Sequence, residues 1–284
     1  MANIDRRIIY LLVALSLALP LRYGWVLKPA EMSTATNFFA VIDRLEPTPG
    51  KFVLLAMDWG PGTSAENEAQ TEVALEHLFR KRIPVALISN YAFATPYLRA
   101  VPQRVADKLM KEETGQTWSY GKDWVNFGYR PGGLALVQQI ASSDDIRATL
   151  KADALGNPLE TIPLLESIRS IKDVQLLIQF TGLVGTFDNW IQFFVRDSYK
   201  PPFVHGCTSI TIPDAHIYLA SKQIVGLLEG VAGSAWYDYL LSEKYQRRKP
   251  GRMLLMNTGI AVAQMLILAL VLIGNIGYFM GRKK

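Results

Sequence analysis

The chain has 284 residues, half of them apolar, and a single cysteine; it has room for one or two domains and excludes a disulfide framework or a cysteine-rich metal centre. Its net charge of +5 divides unevenly, −5 over residues 29–246 and +10 over the two ends. The cations therefore flank apolar termini, where anionic lipid headgroups would meet them, and the middle has no basic face with interleaved aromatics of the kind that binds nucleic acid.

Residues 8–21 are an uncharged run preceded by Arg6 and Arg7. A signal peptide and a membrane anchor both fit this pattern, but no small-x-small cleavage site follows, so an uncleaved anchor helix over residues 1–28 is expected. It reaches spanning length only if Arg22 snorkels and the helix continues through Leu27. Residues 29–50 read as a linker, broken at Pro29 and again from Glu46 to Gly50, with a short helix about Asn37–Leu45.

Between residues 51 and 246, apolar runs alternate with helical stretches. Phe52–Met57, Pro84–Ser89, Trp124–Tyr129, Val174–Thr181 and Phe203–Ser209 read as buried strands. Ser64–Arg82, residues 96–113, Gly132–Ser142, Ile162–Ser170 and Trp190–Arg196 read as helices, with a polar excursion over 143–162 and a long helix from Asp214 to Tyr245. Continuous apolar strands alternating with helices predict an α/β fold, a Rossmann-like three-layer domain with a mostly parallel sheet of about five strands.

The first strand runs into Asp58 and then Gly60-Pro61-Gly62-Thr63-Ser64-Ala65, which fits the dinucleotide-loop pattern G-x-G-x-x-A. Ligands of parallel sheets collect beyond the carboxyl ends of the strands. Asp58, Gly60, Gly62, Ser64 and Asn90 are therefore the candidate ligand-binding residues. Phosphate is disfavoured there. Glu66, Glu68 and Glu72 crowd the helix start, no lysine follows the glycines, and no acid ends the second strand. Thr63 and Glu66 instead form a capping-box pattern, so the stretch reads as a capped structural turn, with no cofactor and no metal expected.

His205 and Cys207 lie two apart on one strand face. Such a couple can make a nucleophile, but a buried thiol that packs as a hydrophobe is the preferred reading. His77 and His216 show no ligand spacing. The stretch Tyr120–Gly132 mixes aromatics, glycines and polar groups, and suits either a binding surface or a loop packed under the sheet.

Gly226, Gly230 and Gly233 fall four and three apart in the expected long helix. Each costs about 1 kcal/mol there relative to alanine, so a closely approaching helix or strand is expected. Residues 247–284 read as a basic juxtamembrane segment and a transmembrane helix, since 253–280 carry no charge. Asn257, Gln264 and Asn275 fall within about 20° of one line on that helix. Such groups hydrogen-bond across helices in a membrane. Gly259, Ala263, Gly277 and Gly281 form a second, small-residue face. Two spans put both termini on one side. The domain side carries seven flanking cations and the terminal side five, which leans toward a cytoplasmic domain.

The function expected is a membrane-anchored binding, sensing or scaffold subunit of a larger membrane assembly. Its partners would be membrane lipid and other subunits, or further copies through the C-terminal span. The alternative is a membrane-bound hydrolase working at the strand edge with Asp58, or with Cys207 and His205.

Overall fold

The computed structural model describes residues 5–194, 201–246 and 249–281. Six strands, β1 (Phe52–Met57), β2 (Val85–Ser89), β3 (Trp124–Tyr129), β4 (Val174–Thr181), β5 (Phe203–Cys207) and β6 (Gly226–Glu229), form one all-parallel sheet in the order β3-β2-β1-β4-β5-β6. This is the doubly wound order, with its topological switch between β1 and β4.

Alternate strand residues enter two cores. Val53, Leu55 and Met57 pack with α2 (Ser33–Asp43), α3 (Ser64–Arg80), α4 (Thr95–Glu112) and α9 (Gly230–Lys244). Phe52, Leu54 and Ala56 pack with α5 (Leu134–Ser142), α6 (Ile146–Leu150), α7 (Thr186–Phe194) and α8 (Ile212–Ala220). A sheet buried on both faces is why its strands read as unbroken apolar runs.

The sixth strand corrects the expected helix over 214–245. The chain leaves α8 through Lys222, whose φ of 58° is left-handed. Val225 N–H then donates to the Phe203 carbonyl and starts β6 beside β5. A four-residue strand between two helical patterns carries too little period-2 signal to stand out. The three glycines are accordingly not one helix face. A β-carbon on Gly226 would lie 2.6 Å from Phe38 Cα in α2. Gly230 turns the strand into α9 at φ 53°, and Gly233 sits against the Leu228 backbone. They do mark close approaches, within this domain. Helix boundaries also differ: α2 runs Ser33–Asp43 rather than about Asn37–Leu45. Ile162–Ser170 shrinks to a single 3-10 turn, Pro163–Leu165, and the helix expected at Trp190 begins at Thr186, while Arg196 lies outside the described residues.

At the ends, α10 (Arg252–Gly281) is the one helix among the described residues long and apolar enough to cross a membrane. α1 (Arg6–Tyr23) stops at the left-handed Gly24 instead of continuing through Leu27, and its 14-residue apolar run extends about 21 Å, short of a hydrocarbon core of roughly 30 Å. α1 packs along α10. Ser16 and Pro20 are buried there, and a β-carbon on Gly259 would lie 3.2 Å from the Leu17 carbonyl oxygen. α10 is rooted in the domain, because Leu254 N–H donates to the buried Asp238 carboxylate of α9 at 3.2 Å.

Candidate functional site

The carboxyl edge of β1 delivers Asp58 to the switch point, fully buried. One carboxylate oxygen accepts from Asn90 N–H at 2.7 Å and Ser89 Oγ at 3.2 Å. The other accepts from Gln179 Nε2 at 2.7 Å and Trp190 Nε1 at 2.8 Å. Burial pushes the Asp58 pKa up, opposed by these four donors. Among the described residues no cation pairs with the group. Asp58 thus ties β2, β4 and α7 to β1, and its lone pairs are spent on the fold.

The flanking loops close over it. A β-carbon on Gly60 would fall 2.8 Å from the Tyr91 ring and 3.0 Å from Phe93 Cβ. One on Gly182 would fall 2.5 Å from Thr208 Cγ2 and 2.6 Å from Thr63 Cγ2. Gly60 and Gly182 are small because neighbouring loops meet there. Gly62 faces open space, and Ser64 Oγ donates back to the Pro61 carbonyl at 3.0 Å.

The capping box is not formed. Thr63 makes no side-chain cap bond, and its buried hydroxyl lacks a protein partner. Glu66 reaches away to accept from Ser209 N–H at 3.0 Å and Ser209 Oγ at 2.7 Å, tying α3 to the loop after β5. An exposed loop donor pair outcompetes the Thr63 N–H for that carboxylate. Both amide atoms of Asn90 are likewise buried without a protein partner. The five candidate residues therefore lie at one edge; among their side chains only the Asn90 amide is buried without a partner.

His205 and Cys207 do share a face, as expected, inside the second core. His205 stacks on Phe187 with ring centroids 4.0 Å apart, and burial drives its pKa down to about 3. Burial, with the Glu229 carboxylate adding to it, pushes the Cys207 thiol up to about 12. A neutral thiol beside a weakly basic imidazole is not an activated nucleophile. His77 is also buried, bonded to Tyr237 Oη at 2.7 Å and to Asp43 at 3.2 Å. Among the described residues no group of three His, Cys, Asp or Glu side chains could hold a metal.

The carboxyl edge carries exposed apolar side chains: Phe93 after β2 (63 % exposed), Val184 after β4 (85 %) and Ile210 after β5 (88 %). A cavity of about 1590 Å³ lies between α4 and the loop around Leu155, against Trp124, Asn126 and Gly128 of β3. Within the Tyr120–Gly132 stretch, Trp124–Tyr129 is β3 itself rather than a loop; Trp124 and Phe127 are buried, and Tyr120, Trp124, Asn126 and Gly128 line the cavity.

No protein-family model, curated protein or solved structure matches this chain.

The sequence reading missed Gln179 and Trp190 as the partners of Asp58. A signal was present: Gln179 is a polar residue inside the apolar run Val174–Thr181, and a buried amide needs a partner.

Proposed function

We propose that the protein is a non-catalytic binding or scaffold subunit of a membrane assembly, anchored by α10 with the short apolar helix α1 packed along it. The observation that carries this reading is the filled switch point. The crevice where doubly wound sheets take ligands is occupied by Asp58, its four donors and the loops that meet at Gly60 and Gly182. What the same edge offers outward is Phe93, Val184 and Ile210. Exposed apolar residues gathered on one edge favour a protein partner.

α10 supports the same reading. Gly259 packs on α1, and Asn257 lies about 200° around the helix from it. Gln264 and Asn275 are exposed, away from α1. A polar stripe facing lipid has a reason to find another helix. Orientation is part of the proposal, with the domain in the cytoplasm. The cations that set it include Arg247, Arg248 and residues 282–284, which lie outside the described residues. The hydrolase alternative gains no support from a saturated Asp58 or from the buried His205 and Cys207.

The test is purification of the full chain from its native membranes in mild detergent, followed by mass spectrometry. The wild type should carry a stoichiometric partner that Val184→Asp with Ile210→Asp loses, while the thermal midpoint stays unchanged. Retention of the partner by that double variant would contradict the edge as the docking surface.

A further inference from the structure

The cavity beside α4 has features that the binding role does not use. At about 1590 Å³ it exceeds the roughly 300–1,000 Å³ of ordinary small-molecule sites. Its floor is apolar, with Leu98 and Trp124 beneath and Ala154 and Leu155 as one wall. That wall is built firmly. Asp153 accepts from Tyr120 Oη at 2.7 Å and from the Leu155 and Asn157 N–H groups at 2.8 Å.

The rim is basic. Arg99, Arg104, Lys108, Lys111 and Lys249 line it, against Asp107 and Glu112. Arg104 is held by Glu68 and Glu72, Lys108 by Glu76, and Glu112 is turned to Arg80. Arg99 and Lys111 are exposed and have no ion pair among the described residues. They stand on α4 about 18 Å apart, one toward each end of the groove.

Position supplies the source of the ligand. The groove lies on the α2–α3–α4–α9 side of the sheet, the side on which α10 is rooted through Asp238. Arg104 and Lys108 also line a second hollow that reaches Arg252 and Met253, where α10 begins. A strand-like peptide is a poor occupant, because Ala154 N–H already caps the free edge of β3 at the Asn126 carbonyl, 2.8 Å away.

We propose that this groove binds an anionic phospholipid from the membrane that α10 enters, with acyl chain on the Leu98–Trp124–Leu155 floor and phosphate against the rim cations. The inference rests on α10 as a membrane anchor and is independent of the docking edge.

The test uses the full chain, delipidated in neutral detergent and incubated with dioleoyl phosphatidylglycerol or dioleoyl phosphatidylcholine. Retained lipid is read by native mass spectrometry. Phosphatidylglycerol should be retained over phosphatidylcholine, and Arg99→Gln with Lys111→Gln should lower its retention roughly tenfold, as the loss of two of the cations that make the rim positive predicts. Leu155→Gln, which changes no charge, should lower it as well. Lys81→Gln with Lys122→Gln, elsewhere on the domain, should leave it unchanged. Equal retention of the two lipids, or no effect of the Arg99 and Lys111 pair in a variant with wild-type thermal midpoint, would overturn the proposal. So would displacement of the lipid by millimolar inorganic phosphate, which would make the site one for a free anion.

Discussion

Gln179 reaches from the middle of β4 to the end of β1 and donates its amide hydrogen to Asp58 Oδ2 at 2.7 Å. Trp190 Nε1 reaches the same oxygen from α7 at 2.8 Å. The two halves of the sheet are thus joined across the switch point by a carboxylate that could otherwise have served a ligand.

Asp58→Asn places an amide NH₂ where donors already converge. At least one buried donor then loses its acceptor, at about 1–3 kcal/mol for each such group. We expect a loss of roughly 2–4 kcal/mol in urea unfolding of the full chain followed by tryptophan fluorescence. If Asp58→Asn is as stable as the wild type, the carboxylate is not tying the strands together.

Thr63 gives a contrasting prediction. Its hydroxyl caps nothing and is buried without a partner, while its methyl packs toward Gly182. Thr63→Val keeps the methyl and removes the stranded hydroxyl, so stability should change by less than about 0.5 kcal/mol or rise. A loss near 1 kcal/mol or more, the usual size of a lost N-cap, would show that the capping bond forms after all.

Most of the fold was legible in the chain. β1, β3 and β4 follow their apolar runs residue for residue, because a strand buried on both faces has to be apolar throughout. β6 was not, since Gly226–Glu229 is short and its pairing depends on Phe203, more than twenty residues away. The candidate edge was located correctly from Asp58, Gly60 and Asn90, but its state was not. Whether Asp58 is free or saturated depends on Gln179 and Trp190, which meet it only in the folded chain. The capping box failed for the same reason, since Glu66 finds Ser209 from a distant loop.

The buried imidazoles set an acid limit. The folded-state pKa of His205 is lowered to about 3 and that of His77 to about 4, in both cases by burial, from 6.5. Between those values and 6.5 the unfolded chain binds more protons, so stability is lost as pH falls. Asp58 has the opposite sign, since its raised pKa favours the folded state on protonation. Comparing wild type with His205→Phe isolates the imidazole. The wild type should lose as much as about 4 kcal/mol more between pH 7 and pH 3 than the variant. Parallel pH profiles would mean that His205 can be protonated in place.

Sidedness is tested at Asp144, exposed between α5 and α6. The native Cys207 is buried and should stay silent toward a membrane-impermeant maleimide. An Asp144→Cys variant should remain unlabelled in intact cells and label after permeabilisation. Labelling in intact cells equal to that of an exported control would put the domain outside.

The central claim, assembly in the membrane, is tested most directly by the size of the particle that α10 forms. Asn257, Gln264 and Asn275 face away from α1, and each interhelical hydrogen bond in a membrane is worth only about 0.6 kcal/mol on average, so all three are replaced together by leucine. The full chain and the triple variant are extracted from native membranes in the same mild detergent, and their masses are measured by native mass spectrometry. The account predicts a wild-type species larger than one chain and a triple variant that inserts normally but is recovered as a smaller species. A wild type of single-chain mass, or a triple variant of unchanged mass with the same partners, would contradict it.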